Sequence, residues 1–160
     1  MRKKKPEFFE KIPGAPMPIS FEIKRRASFN EVDVLGVVWF GQYPGYFQQA
    51  QTELGRRCGL SFKDYFSLGV SAPIIKFHAE YYQPLYLDEE FTVRASYVWS
   101  EGARLHTEYV IIKDDRSIAT RGYSVQMFID VKNKQPHIIT PKILEQLRKN
   151  WKKGKFKCLK

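Results

Sequence analysis

Residues 29–54 read Phe29-Asn-Glu-Val-Asp-Val-Leu-Gly-Val-Val-Trp-Phe-Gly-Gln-Tyr-Pro-Gly-Tyr-Phe-Gln-Gln-Ala-Gln-Thr-Glu-Leu54. An acidic turn around Glu31 and Asp33 runs into an apolar segment, and that segment feeds an aromatic-rich helix beginning near Tyr43. Pro44 suits a first helical turn, where its missing N–H would have had no intrahelical partner. Tyr43, Tyr46, Phe47, Ala50, Leu54 and Cys58 recur at spacings of three and four, an apolar stripe to be buried against a sheet. Gly59 stops the helix. The turn places Asp33 shortly before a helix N-terminus, where unpaired N–H groups can face a ligand carbonyl.

Outward from this segment, the order of elements predicts an α+β fold. A first strand fits 19–29, and a short helical turn fits 61–68. Strands then follow at 74–82, 91–99, 104–113 and 117–131, and a last helix at 141–151. On the strands, Ile75, Phe77, Ala79 and Tyr81 share a face, as do Phe91, Val93, Ala95, Tyr97 and Trp99. Leu105, Thr107, Tyr109 and Ile111 form a third such set, and Ala119, Tyr123, Val125, Met127 and Ile129 a fourth. One long apolar helix followed by an antiparallel meander means that the sheet must wrap the helix. Such a sheet leaves an exposed edge, commonly paired across a two-fold axis.

The net charge of +10 is not spread over the chain. Residues 1–13 carry +3, residues 142–160 carry +7, and the body between them holds 14 basic and 14 acidic residues. A nucleic-acid-binding face should tilt the balance of the body, so no nucleic-acid partner is expected. The organisation read from this is an N-terminal arm over 1–18, with Phe8, Phe9 and Ile12 available to dock it, a domain over 19–151, and a basic tail over 152–160. Two cysteines, Cys58 and Cys158, without a CxxC motif fit a reducing cytoplasm. No apolar run approaches the roughly 20 residues of a membrane span, and no signal peptide is legible.

Several chemistries lack their core residues. GxSxG, GxGxxG and GxxxxGK[ST] are all missing, and so is HExxH. His78, His106 and His137 are dispersed and read as strand or loop surface residues, so no metal and no cofactor is expected. Cys58 ends an apolar stripe and reads as a small buried hydrophobe.

Glu31, Asp33, Gly36, Val37, Val38, Trp39, Phe40 and Tyr43 together resemble the signature of the hotdog-fold acyl-CoA thioesterases, in the 4-hydroxybenzoyl-CoA thioesterase-like family. Phe47, Ala50, Thr52 and Glu53, and the run Phe77-His-Ala-Glu-Tyr-Tyr-Gln-Pro-Leu-Tyr-Leu-Asp-Glu-Glu-Phe91, are similar to the Tol-Pal-associated branch. That branch usually has His at the position of Phe40 and often Tyr at the position of Phe29. The aromatic-acyl branch tolerates an aromatic at Phe40. The resemblance implies an antiparallel sheet wrapped around a long central helix, assembled as a homodimer or homotetramer.

It also implies hydrolysis of an acyl-CoA, with an aromatic or short acyl group, to the free acid and CoA. A thioester carbon is electrophilic and its thiolate leaves readily, so one carboxylate and a polarised carbonyl suffice. The resemblance gives Asp33 the role of general base or nucleophile, and gives the backbone N–H groups of Phe40 and Gly41 the carbonyl oxygen. Trp39, Phe40, Tyr43 and Phe47 would line the acyl pocket, and Arg104 would meet the CoA phosphates, with Arg56, Arg57, Lys63 and Lys76 as further cations. The plainer readings are a solvated turn aspartate for Asp33, a surface carboxylate for Glu31 and a boundary or dimer contact for Glu53. A hotdog module that binds acyl-CoA or an acyl-carrier protein without catalysis is the alternative function.

Overall fold

The computed structural model describes residues 8–156. The chain forms β1 (Ile19–Arg26), 3-10 turns at Phe29–Glu31 and Phe40–Gln42, α1 (Tyr43–Cys58), α2 (Phe62–Ser67), β2 (Val70–Ser71) and β3 (Ile74–Tyr81). It continues with β4 (Glu90–Val98), β5 (Arg104–Lys113), β6 (Ile118–Met127), β7 (Ile129–Asp130) and α3 (Lys142–Lys152). Five strands make one antiparallel sheet in the order β1-β4-β5-β6-β3, and β2 pairs with β7 apart from it.

All six apolar stripe residues of α1 are buried against this sheet. Gly59 ends the helix in the left-handed conformation, φ +74°, and donates its N–H to the Gly55 carbonyl. Phe91, Val93, Ala95 and Tyr97 of β4 and Leu105, Thr107, Tyr109 and Ile111 of β5 form the buried face beneath the helix. This is the hotdog arrangement, a central helix held in an antiparallel sheet.

Three expectations change. The first strand ends at Arg26 rather than Phe29, because Ser28 donates its N–H to Glu31 Oε2 at 2.8 Å and folds 29–31 into a 3-10 turn. The long final strand breaks at Phe128, which donates its N–H to the Ala103 carbonyl and separates β6 from β7. On β6 the face turned to the helix is the polar and small one. Ser124 and Gly122 stand opposite Thr107 and Tyr109, and the Phe47 and Tyr109 rings fill the space they leave.

Ala119 of the predicted β6 set does join the core, whereas Tyr123 lies on the outer face under the N-terminal arm. Phe9 stacks on His106 with 4.2 Å between centroids, and Phe8 lies 5.1 Å from the Tyr123 ring. His78 and His106 are therefore half-buried under aromatic rings rather than free on the surface. At the other end α3 packs through Ile143, Leu144, Leu147 and Trp151, and Trp151 Nε1 donates to the Met17 carbonyl at 2.8 Å. Phe156, inside the predicted basic tail, also packs against the core. The arm before residue 8 and the tail after residue 156 lie outside the described residues.

Candidate active site

Between β1 and α1 the chain makes a small hairpin. Val32 and Val38 bridge antiparallel, Asp33 donates its N–H to the Val37 carbonyl at 2.9 Å, and Gly36 closes the turn at φ +71°. That backbone angle suits glycine, which has no Cβ to clash. Asp33 Oδ1 accepts from the N–H groups of Leu35 at 2.8 Å and Val37 at 3.2 Å. Its Oδ2 makes no hydrogen bond to a described residue, and the side chain is exposed. The carboxylate is thus oriented by the turn through one oxygen and open through the other.

The hairpin is tied down on both sides. Val38 donates to the Leu85 carbonyl at 2.8 Å, and Leu87 to the Gly36 carbonyl at 2.9 Å. Trp39 donates to the Glu31 carbonyl at 2.9 Å. Glu31 is not the surface carboxylate that the sequence suggested; it is 9% exposed. One oxygen accepts from Arg25 at 3.0 Å and the other from the Ser28 N–H, so the residue staples β1 to the hairpin base. Buried beside it, the Tyr46 phenol is pushed up by desolvation and by the Glu31 carboxylate.

Directly after the hairpin, Phe40 and Gly41 head the 3-10 turn that leads into α1. Their N–H groups are the first of a helical segment and have no acceptor behind them in the turn. Gln42 donates to the Trp39 carbonyl at 2.9 Å, and the Phe40 carbonyl accepts from the Tyr81 hydroxyl at 3.1 Å. The Trp39 indole folds back over Gly41, so that a Cβ there would stand inside the ring. Trp39 and Phe40 are 52% and 65% exposed. Tyr43 is buried, its ring edge-on to Tyr81 at 4.9 Å, and its phenol is raised, mainly by burial.

Two concavities flank these residues. A groove of about 320 Å³ holds Phe40 and Tyr43 with Val37, Tyr81 and Tyr82. A larger cavity of about 650 Å³ opens between α1, α2 and β3, walled by Phe47, Phe62, Tyr65, Ile74, Phe77 and Tyr109. Phe47 stands in this second space; Asp33, Trp39, Phe40 and Tyr43 do not line it. Within one chain, then, the predicted chemistry and the 650 Å³ cavity are separate. Arg104 begins β5 on the sheet face opposite Leu105 and the helix. Its carbonyl receives Arg148 and Ser100 side chains. The cation at the cavity is Arg56, which pairs with Glu53, as does Arg57 at 3.1 Å.

The floor of the cavity is a polar network of Gln51, Tyr109 and Gln126. Gln51 Nε2 donates to Gln126 Oε1 at 2.5 Å, the Tyr109 hydroxyl donates to Gln51 Oε1 at 2.5 Å, and Tyr109 and Ser124 hydroxyls meet at 2.7 Å. Alternation had already turned Tyr109 inward, but no spacing rule joins a helix glutamine to two strands. Among the described residues, no group of three or more His, Cys, Asp or Glu is placed to hold a metal ion, and no helix is long and apolar enough to cross a membrane.

The profile of the thioesterase-like superfamily matches residues 27–147. On sequence, the chain is 27% identical over 128 residues to an Aquifex aeolicus protein bearing a provisional esterase name, covering 80% of this chain and 98% of that protein. Among solved structures it is similar to a DHNA-CoA thioesterase from Staphylococcus aureus, with TM-score 0.74, 19% identity, and 89% and 99% of the two chains covered. It is also similar to a 1,4-dihydroxy-2-naphthoyl-CoA thioesterase from Synechocystis, with TM-score 0.73, 16% identity, and coverage of 83% and 98%. At these identities the two structures show the shared fold.

Proposed function

The chain belongs to the thioesterase-like superfamily, and on that footing we propose that it hydrolyses acyl-CoA thioesters with an aromatic or short acyl group. The observation that carries this reading is the single short segment from Asp33 to Gly41. It presents an oriented carboxylate with one open oxygen and, seven and eight residues on, two backbone N–H groups at the start of a helical segment.

Asp33 Oδ2 takes a proton from water as the water oxygen bonds to the thioester carbon. The negative charge that develops on the carbonyl oxygen is received by the Phe40 and Gly41 N–H groups. The C–S bond then breaks, and the proton passes to the departing thiolate. Direct attack by Asp33 would instead give a mixed anhydride that water opens. Both routes use the same two parts of the site.

A second copy of the chain completes the site in this reading. β3 is an edge strand, and its Ile74, Ile75 and Phe77 side chains are exposed. Antiparallel pairing of two β3 edges about a two-fold axis brings the Tyr81 end of one strand to the Ile74 end of the other. The hairpin of each protomer then lies beside the 650 Å³ cavity of its partner, which joins the parts that one chain holds apart. Phe62 in the cavity wall, 81% exposed, gains cover in the same step.

Thiol release from a panel of benzoyl-, acetyl- and butyryl-CoA tests the activity. Asp33→Asn should lose about 10²-fold or more in rate with its fold intact. Hydrolysis by this variant at the wild-type rate would remove Asp33 from the chemistry, and binding without turnover by the native protein would favour the non-catalytic module. Light scattering of an active protein should give at least a dimer at micromolar concentration; an active monomer would overturn the composite site.

A further inference from the structure

We propose that Tyr81 is a positioning residue that aims the Gly41 N–H at the thioester carbonyl oxygen. The inference rests on the reading of Gly41 as an oxyanion donor and adds the group that fixes its direction.

The Tyr81 hydroxyl donates to the carbonyl oxygen of Phe40 at 3.1 Å. That carbonyl and the N–H of Gly41 belong to one peptide unit, which is planar and trans, so the two bonds point in opposite directions. Holding the oxygen toward β3 therefore turns the Gly41 hydrogen away from β3, out of the start of the helical segment. The neighbouring units are fixed by backbone partners, because Trp39 donates to Glu31 and accepts from Gln42. The Phe40–Gly41 unit stands between them with a side chain, from a strand about 40 residues on, as the anchor of its carbonyl.

The anchor is itself held. The Tyr81 ring meets Tyr43 edge-on at 4.9 Å with an interplanar angle of 90°. Tyr43 is in turn buried at the head of α1. Burial raises the Tyr81 phenol above its ordinary range, so it stays a donor wherever the hydrolysis would run. Gly41 also carries the Trp39 ring across its Cα, which leaves no room for a side chain on the unit being aimed. An oxyanion donor works only when its hydrogen is aimed beforehand, since a donor that must rotate at the moment of reaction loses the advantage of the fixed dipole.

Tyr81→Phe keeps the ring on Tyr43 and removes only the hydroxyl. With benzoyl-CoA as probe, kcat should fall about tenfold, less than the loss of a whole donor, while KM stays within about twofold. A second readout does not depend on turnover. Phe40–Gly41 is the one Phe–Gly step in the sequence, so labelling Phe with 13C at the carbonyl and Gly with 15N gives a single coupled signal. That signal should move in Tyr81→Phe while the other glycine amides remain in place. An unmoved signal would show that the hydroxyl does not hold this peptide, and the proposal falls. A moved signal with unchanged kcat would leave Tyr81 as an anchor of a peptide that takes no part in the chemistry, which also overturns it. Full activity of Asp33→Asn, or no hydrolysis by the wild type, would instead overturn the underlying assignment of the site, with the labelled signal still deciding whether the anchor exists.

Discussion

The Phe47 and Tyr109 rings lie stacked, 4.6 Å between centroids and 9° from parallel, with Gly122 of β6 behind them. A Cβ on Gly122 would stand 2.5 Å from the His78 carbonyl oxygen and 3.0 Å from Phe47 Cε2. The first neighbour is backbone of the adjoining strand and cannot step aside as a flexible side chain would. Gly122→Ala should therefore lower stability by about 1–3 kcal/mol, as overpacking of a filled core does. Urea denaturation should show the midpoint shifting down without a change of slope.

A second prediction concerns the Glu31 staple. Replacing it with Ala removes the Arg25 pair and the Ser28 cap together, in a place where the carboxylate is nearly buried. Arg25 keeps its bond to Gln49 at 2.7 Å and is partly solvated, which softens the loss of its counter-ion. Glu31→Ala should cost roughly 2 kcal/mol, below the range for a fully buried pair. Glu31→Gln, which retains an acceptor for Ser28, should cost less. Thermal unfolding of the three proteins side by side gives the order, and equal melting temperatures would show that the hairpin base stands without the staple.

The sequence carried most of this fold because its strongest signals are local. The three-and-four spacing of Tyr43, Tyr46, Phe47, Ala50, Leu54 and Cys58 delivers α1 with the observed limits, and alternation delivers the inward faces of β4 and β5. It went astray where a tertiary partner decides. Tyr123 of β6 looked like part of the core face, yet the rings of Phe47 and Tyr109 require small residues there, and Tyr123 packs under Phe8 and Phe9 on the other side. Glu31 looked like a surface charge because its partner Arg25 is supplied by the preceding strand and its burial by Tyr46 of the helix. Of the proposed site, the segment bearing Asp33, Phe40 and Gly41 is contiguous in the chain and so can be read from the sequence as a motif. The contacts of Tyr81, Gln51 and Gln126 cannot, since they arise only when strands and helix are brought together.

The histidine beneath the arm supplies a pH-dependent prediction. Burial chiefly, and then Arg104, Arg148 and Lys76, hold the His106 imidazole below its ordinary value. The folded protein thus prefers neutral His106, while the unfolded chain takes up a proton near pH 6.5. Stability contributed by this group is present above that value and declines as pH falls through it toward the lower folded value. Urea midpoints should drop between about pH 7.5 and pH 5, and His106→Gln should remove part of that drop. The same slope in both proteins would assign the acid sensitivity to other groups.

The last prediction separates the basic tail from the chemistry. Net charge is concentrated in residues 1–13 and 142–160, whereas the Asp33 segment lies in the balanced body. Where the cut falls matters, because Lys152 sits 5.2 Å over the Trp99 ring and Phe156 packs near Cys58 and Leu147. Deleting residues 157–160 leaves those contacts in place and should change kcat and KM for benzoyl-CoA by no more than about twofold at low or high salt. Deleting residues 152–160 removes the Phe156 burial as well, at a cost of about 1–3 kcal/mol in stability, and should still spare the rate constant of the folded fraction. A large rise in KM at low salt that vanishes at high salt would mean that the tail draws in the CoA phosphates by its charge. In that outcome the tail lysines belong to the binding region, and the division between a neutral catalytic body and a basic tail fails.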